Sequence, residues 1–276
     1  MELKSASLLP TPAPLPSRYW AELCSADFAQ LQQNGAAAQL LAVLPLAATE
    51  QHGPHLPLNV DCALLGGIIA AALPHLPAAL PALFLPLQSV GRSIEHVAYP
   101  GTLTLPFDAL LHCWTALGEC VAGVGVRKLV LLNSHGGNVS SMDIVGRELR
   151  ARCGLQVWLV NTFQLALPPE VQALFTPEEH RFGAHAGALE TSLMLALAPQ
   201  LVRPHALENF VSASQQRASA HPVLAQNGVK LAWAAEDLNP AGAAGDARQA
   251  SAEKGQALLA AYGQALAQVL EALGKF

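Results

Sequence analysis

Between Leu44 and Asp61 the chain reads Leu-Pro-Leu-Ala-Ala-Thr-Glu-Gln-His-Gly-Pro-His-Leu-Pro-Leu-Asn-Val-Asp, so Glu50, His52, His55 and Asp61 follow one another closely. Carboxylate and imidazole donors in one short stretch suit a divalent ion such as Zn, Mn or Fe. Glu50 and His52 are two residues apart, and in extended chain both side chains leave the same face. Asp61 opens a new helical pattern, where free N–H groups and the helix dipole already favour a carboxylate. A plain N-cap is the alternative role for Asp61, and a loop hydrogen bond or the orientation of a ligand for His55. Two further segments offer donors. His135 stands in Asn133-Ser134-His135-Gly136-Gly137-Asn138, where glycines let backbone come close to a ligand. His185 and Glu190, in His185-Ala186-Gly187-Ala188-Leu189-Glu190-Thr191-Ser192, could face one cavity from a loop and from the first turns of a helix. A carboxylate on an apolar helix needs a partner, and a bond from Thr191 or His185 would satisfy Glu190 without any chemistry.

The elements that must position these groups are legible as apolar runs. Leu40–Leu46, Ala82–Leu87, Lys128–Leu132 and Gln156–Asn161 are expected as strands. Arg18–Gln33, Asp61–Leu73, Phe107–Ala122 and Val139–Cys153 are expected as helices, and Ser251 caps a last helix running to Leu273. The apolar stretch from Gly66 to Leu87 is too broken by His75 and its prolines to cross a membrane. Residues 211–248 are polar, rich in Ala, Gly and Ser, and expected as loops over the site or at an interface. Alternating strands and helices predict a mostly parallel sheet with helices on both faces, an α/β fold. The candidate ligands then fall at the carboxyl ends of strands, where open α/β sheets bind.

The three chemical segments resemble signature blocks of the creatininase (creatinine amidohydrolase) family: Glu-Gln-His-Gly-x-His-Leu-Pro with a downstream Asp, Asn-x-His-Gly-Gly-Asn, and His-Ala-Gly-x-x-Glu-Thr-Ser. Glu95-His96-Val97-Ala98-Tyr99-Pro100-Gly101-Thr102 resembles a fourth block, and Gly245-Asp246 with Ala250–Gly255 a fifth, all in order from about Leu40 to Gly255. The resemblance implies a three-layer α/β/α fold, a homohexamer, and metal-dependent hydrolysis of a C–N bond in an amide, cyclic amide or formamide. It implies Glu50, His52, Asp61 and His135 as metal ligands, with Asp61 bridging two ions. His185 matches a proton donor, and Glu190 a further ligand or its catalytic neighbour. Metal chemistry of this kind activates a water and polarises the amide carbonyl. Glu95 and His96 are expected to organise a loop or a subunit contact.

Two departures bear on specificity. Creatininase itself carries Tyr and a metal-binding Glu where this chain has Gly136 and Gly137, so Glu190 supplies the missing carboxylate or the second ion is weak or absent. It also carries a tryptophan in the loop matched by Pro177–Gly183, which holds none here. The chemistry is therefore expected to be retained, and creatinine amidohydrolase proper is the alternative reading rather than the main one. Relatives with other substrates include formamide-cleaving deformylases, a peptidase that trims a redox-cofactor precursor, and ring-opening sugar-acid hydrolases. A homologue that binds a small molecule without turnover, or a purely structural oligomer subunit, would be the readings of a different class.

Composition bounds the partners. The formal charge is −5 with 15 Lys and Arg and no basic cluster, which argues against a nucleic-acid surface. Only 13% of residues are charged, which suits a surface partly buried between subunits. The cysteines (Cys24, Cys62, Cys113, Cys120, Cys153) are odd in number and lack CxxC spacing, so they are expected as reduced, mostly buried thiols of a cytoplasmic protein. Met1–Arg18 does not have the pattern of a signal peptide. The expected organisation is a Pro-rich arm over 1–17 on one creatininase-like domain spanning 1–276, acting on a small amide-type molecule away from any membrane.

Overall fold

The computed structural model of the protein describes residues 15–226 and 229–276, so most of the Pro-rich arm lies outside the described residues. The first half alternates α1 (Ser25–Gln33), β1 (Leu41–Leu46), α2 (Val60–Ala72), β2 (Ala82–Phe84), α3 (Phe107–Gly123), β3 (Lys128–Asn133), α4 (Val139–Cys153) and β4 (Gln156–Asn161). Short helices α5 (Pro169–Gln172) and α6 (Pro177–Phe182) lead into α7 (Ala188–Leu197). Then come β5 (Asn209–Phe210), α8 (Ala213–Ala220), α9 (Ala235–Leu238), β6 (Gly245–Asp246) and the long α10 (Ala252–Lys275). The sheet is parallel throughout, in the order β2-β1-β3-β4, and β5 and β6 form a separate antiparallel pair.

Side chains alternate across a strand, so each strand feeds two cores. Leu41 and Val43 of β1, with Val130 and Leu132 of β3, pack against Leu65, Ile68, Met194 and Leu266 from α2, α7 and α10. Ala42, Leu44, Leu129 and Leu131 face the other way, onto Leu110, Trp114, Val145 and Leu149 from α3 and α4. The result is the expected three-layer α/β/α fold. Gly255 lets α10 lie directly on α7, because a Cβ there would overlap the Ser192 carbonyl. Among the described residues, no helix is long and apolar enough to cross a membrane.

Three expectations are corrected. The first helix is not continuous from Arg18, because Cys24 is extended (φ −91°, ψ 165°) and its N–H is taken by the Asp27 carboxylate at 2.8 Å. That bond starts a new helix at Ser25. Strand β2 stops at Phe84 rather than Leu87, since Pro86 has no N–H to continue the ladder. Residues 211–248 are not all loop, for they carry α8, α9 and β6. The thiols also differ from expectation. Cys24, Cys113 and Cys120 are exposed, the last two on the outer face of α3, and Cys62 and Cys153 are only half-buried. The Cys62 Sγ donates to the Ala48 carbonyl at 3.2 Å, and burial pushes its thiol up to about 11.

Candidate metal centre and active site

The carboxyl ends of β1 and β3 open onto one cavity of about 500 Å3, and every chemical segment of the sequence reaches it except His55. Glu50 and His52 arrive on the loop after β1, and His135 directly after β3. Asp61 lies in the first turn of α2, whose N-cap position is Asn59, so Asp61 is not the cap. Glu190 sits in the first turn of α7. His185 is held by two backbone bonds to Ala244, and the turn after it places Ala186 at φ 54°. A left-handed alanine is strained, and that strain sends the Ala186 N–H onto Glu190 Oε2 at 2.5 Å.

Each ring's orientation follows from its backbone partner, because a carbonyl can only accept. His52 Nδ1 donates to the Glu50 carbonyl (3.0 Å), His135 Nε2 to the Arg92 carbonyl (2.8 Å), and His185 Nε2 to the Gln51 carbonyl (2.7 Å). In the neutral ring the other nitrogen of each is then a lone pair, and all three point inward. His135 Nδ1 faces Glu50 Oε1 at 3.2 Å and Asp61 Oδ2 at 3.6 Å. His52 Nε2 lies 3.9 Å from both Asp61 Oδ1 and Glu190 Oε2. His185 Nδ1 lies 3.9 Å from Glu50 Oε1. Acceptors facing acceptors repel unless a cation or a proton stands between them.

The unsatisfied atoms make the same point. Among the described residues, Glu50 Oε2, His52 Nε2 and Asp61 Oδ2 are buried without a hydrogen-bond partner. Three such atoms in one place would be costly in an ordinary core. Donor atoms of Glu50, Asp61 and His135 lie within 4.8 Å of one another, as do those of His52, His185 and Glu190, and those of Glu50, His96 and His185. These donors fit a divalent ion, and histidines tethered to backbone carbonyls through their outer nitrogen are what metal sites use to fix a ring. The two oxygens of Asp61 face two different groups, Oδ1 toward His52 and Oδ2 toward His135, which suits a shared ligand.

Electrostatics without an ion show how the groups press on each other. Burial alone would lower His135, but Glu50 and Asp61 outweigh it and raise the imidazole to about 10. Burial alone would raise Glu50, and the histidines around it, His135 first, pull it below the usual carboxylate range. Asp61 is pushed well up by burial and then by Glu50. Burial raises Glu190, and burial followed by the neighbouring His185 holds His52 neutral.

Four residues find other places than their spacing suggested, or had no signal at all. His55 bonds Thr191 Oγ1 at 3.0 Å and stacks on Phe210 at 5.2 Å, outside all three donor groups, with its pKa lowered to about 4 by burial. His96 sits inside the site, 3.3 Å from Glu50 Oε1. Gln51, between two candidate ligands, holds His96 Nδ1 at 2.7 Å. Glu179 of α6 is buried and accepts the N–H of Ala188 (2.5 Å) and of Asp246 (2.9 Å), tying α6 to the start of α7 and to β6. Nothing in its short polar helix marks it out. Glu179→Ala leaves these buried N–H groups unpaired and is expected to cost roughly 2–4 kcal/mol of stability, read from denaturant unfolding. A variant as stable as the parent would show that water replaces the carboxylate.

The match to the family described as "Creatininase: Creatinine amidohydrolase" spans residues 21–270. The chain is 29% identical over 225 residues to a mycofactocin precursor peptide peptidase of Mycobacterium ulcerans (strain Agy99), covering 79% of each. It is 33% identical over 177 residues to a creatinine amidohydrolase of Pseudomonas putida, covering 60% of this chain and 68% of that one. Among solved structures, "Creatininase Mn" superposes with a TM-score of 0.72 at 26% identity, over 93% of this chain and 98% of that one.

Proposed function

The chain belongs to the creatininase (creatinine amidohydrolase) family of metal-dependent hydrolases, and from that premise we propose that its substrate is a peptide-like amide bearing a bulky apolar group. The observation that carries the substrate class is the cavity. Its volume of about 500 Å3 is in the range that encloses drug-sized ligands. Much of its lining is apolar, from Leu64, Ile68, Leu165, Leu167, Leu189 and Leu193, and Trp233 also lines the cavity. A single small lactam ring would leave much of that lining unsatisfied, whereas an amide with an apolar side chain would cover it. The precursor-peptide peptidase relative supports the same reading.

In the proposed site Glu50, Asp61 and His135 would hold one ion, and His52 and Glu190 a second, with Asp61 Oδ1, 3.9 Å from His52 Nε2, as the shared ligand. His185, which also lies near His52 and Glu190, is kept for proton transfer. A set of imidazoles and carboxylates suits Zn, Mn or Fe. An ion there supplies Lewis acidity, lowering the pKa of a water to about 7 and polarising a carbonyl oxygen. The protein does the rest. Glu190 stands in for a carboxylate that Gly137 cannot provide. The amide nitrogen must leave with a proton, and His185 Nδ1 is the nitrogen free to carry it, because Nε2 is committed to the Gln51 carbonyl. His185 lies between His52 and His96, with ring centroids at 4.1 and 4.4 Å, so it cannot swing away.

The test is a substrate panel on metal-loaded protein: creatinine, small formamides, and short peptides with apolar residues beside the scissile bond. Peptides are expected to give the highest kcat/KM. Turnover of creatinine alone would overturn the substrate class while leaving the chemistry.

We also propose that the chain is a homo-oligomer, a hexamer by family resemblance. Edge strand β4 and helix α4 expose Leu159 (40%), Ile144 (39%) and Val139 (37%), apolar side chains that a second copy would cover. Light scattering is expected to give a multiple of the chain mass. A single-chain mass at micromolar concentration would rule this out.

A further inference from the structure

Glu95 and His96 lie on one short turn, Ile94–His96, that crosses the cavity beside two candidate ligands from different strands. The state of His96 can be deduced from its neighbours. The Gln51 side chain accepts the Gly53 N–H (2.9 Å) with Oε1 and donates to the Gly242 carbonyl (2.8 Å) with Nε2, so the amide has one orientation. Its Nε2 therefore also donates to His96 Nδ1 at 2.7 Å. That makes Nδ1 the acceptor and Nε2 the N–H, and Nε2 lies 3.3 Å from Glu50 Oε1. With all four rings neutral, the state that leaves His52, His135 and His185 a lone pair for an ion, only His96 turns an N–H toward the carboxylates. It is built to hold Glu50 rather than to bind an ion.

Glu95, the adjacent residue, sits on the other side. Its Oε1 is 3.6 Å from His135 Nε2, the nitrogen that donates to the Arg92 carbonyl. Gly137 makes this possible, since a Cβ there would overlap both Glu95 Oε1 and the Arg92 carbonyl. The glycine in the motif is thus the space that lets a carboxylate back the His135 ring.

We propose that the Glu95–His96 pair positions the metal ligands, His96 by donating from Nε2 to Glu50 and Glu95 by backing His135. This rests on the metal-site reading above and adds the outer contacts that set its affinity. Such contacts are worth about 10- to 100-fold in metal affinity.

The test measures metal affinity, by chelator competition with Zn or Mn, and the melting temperature of the metal-free protein, for the wild type, His96→Ala, His96→Gln and Glu95→Gln. Gln restores an N–H donor near the place of Nε2. The expected result is a ~10- to 100-fold loss in His96→Ala, a smaller loss in Glu95→Gln, substantial recovery in His96→Gln, and little change in metal-free melting. In the wild type, 15N shifts of His96 should show a pyridine-like Nδ1 and a protonated Nε2. Unchanged affinity in His96→Ala would overturn the proposal, as would a loss that follows metal-free melting and is not recovered by Gln. If the wild type itself takes up no ion, it is the metal-site reading that fails, and the variants need not be compared.

Discussion

Asp61→Ala is expected to lose metal and turnover together, without lowering the stability of the metal-free chain. Asp61 presents Oδ1 toward His52 and Oδ2 toward His135, so one truncation removes an oxygen from both donor groups. Outer contacts alone are worth about 10- to 100-fold in affinity, and a shared ligand should exceed that. The metal-free protein should not suffer, because Asp61 is buried, has no hydrogen bond to Oδ2, and is pushed toward its neutral form by burial and by Glu50. Its removal relieves a crowded set of acceptors. Metal content by elemental mass spectrometry and melting with and without added Zn separate the effects. Wild-type protein should gain roughly 2.7 kcal/mol at metal 100-fold above Kd, and the variant close to none. A variant that keeps the wild-type metal content would remove Asp61 from the ligand set. Glu190→Gln is the natural comparison, expected to lower occupancy at the second position while Glu50, Asp61 and His135 keep the first.

His185→Ala is expected to separate what Asp61→Ala joins: metal stays and turnover falls. Proton transfer from a placed side chain contributes about 10²- to 10⁴-fold, and the loss should appear in kcat more than in KM. The ring is preset for that work. Its backbone is bridged to Ala244, its Nε2–H is bound to the Gln51 carbonyl, and the His96 ring stacks on it while the His52 ring lies tilted against it. The measurement is kcat on the best peptide of the panel, alongside metal content of the same sample. Metal loss as large as that of Asp61→Ala would make His185 a ligand, and the proton would then need another carrier.

Much of the frame was legible because burial imposes a local pattern. Leu41–Leu46 and the Leu129–Leu132 stretch of β3 are continuous apolar runs since both faces of a parallel strand are covered, and α4 and β4 begin and end where their patterns do. The glycine pair after His135 and the carboxylates after β1 marked the site's segments for the same reason: residue type and spacing survive in the chain itself. The misses are just as physical. Cys113 and Cys120 look like core residues by type, and only the packing of α3 shows them facing outward. Glu179 has ordinary neighbours in sequence, and its importance comes from N–H groups 9 and 67 residues away.

The sequence by itself determined the donor atoms, the strands that end beside them and the layers that bury them, because these follow from side-chain chemistry and from periods of two and 3.6 residues. For His135 and His185 only the tertiary structure decided which nitrogen faces inward. That choice belongs to distant backbone carbonyls: Arg92 for His135 and Gln51 for His185, 43 and 134 residues away in the chain. A carbonyl accepts and cannot donate, so each contact commits one nitrogen as N–H and leaves the other as a lone pair. Such partners meet only when the chain has folded.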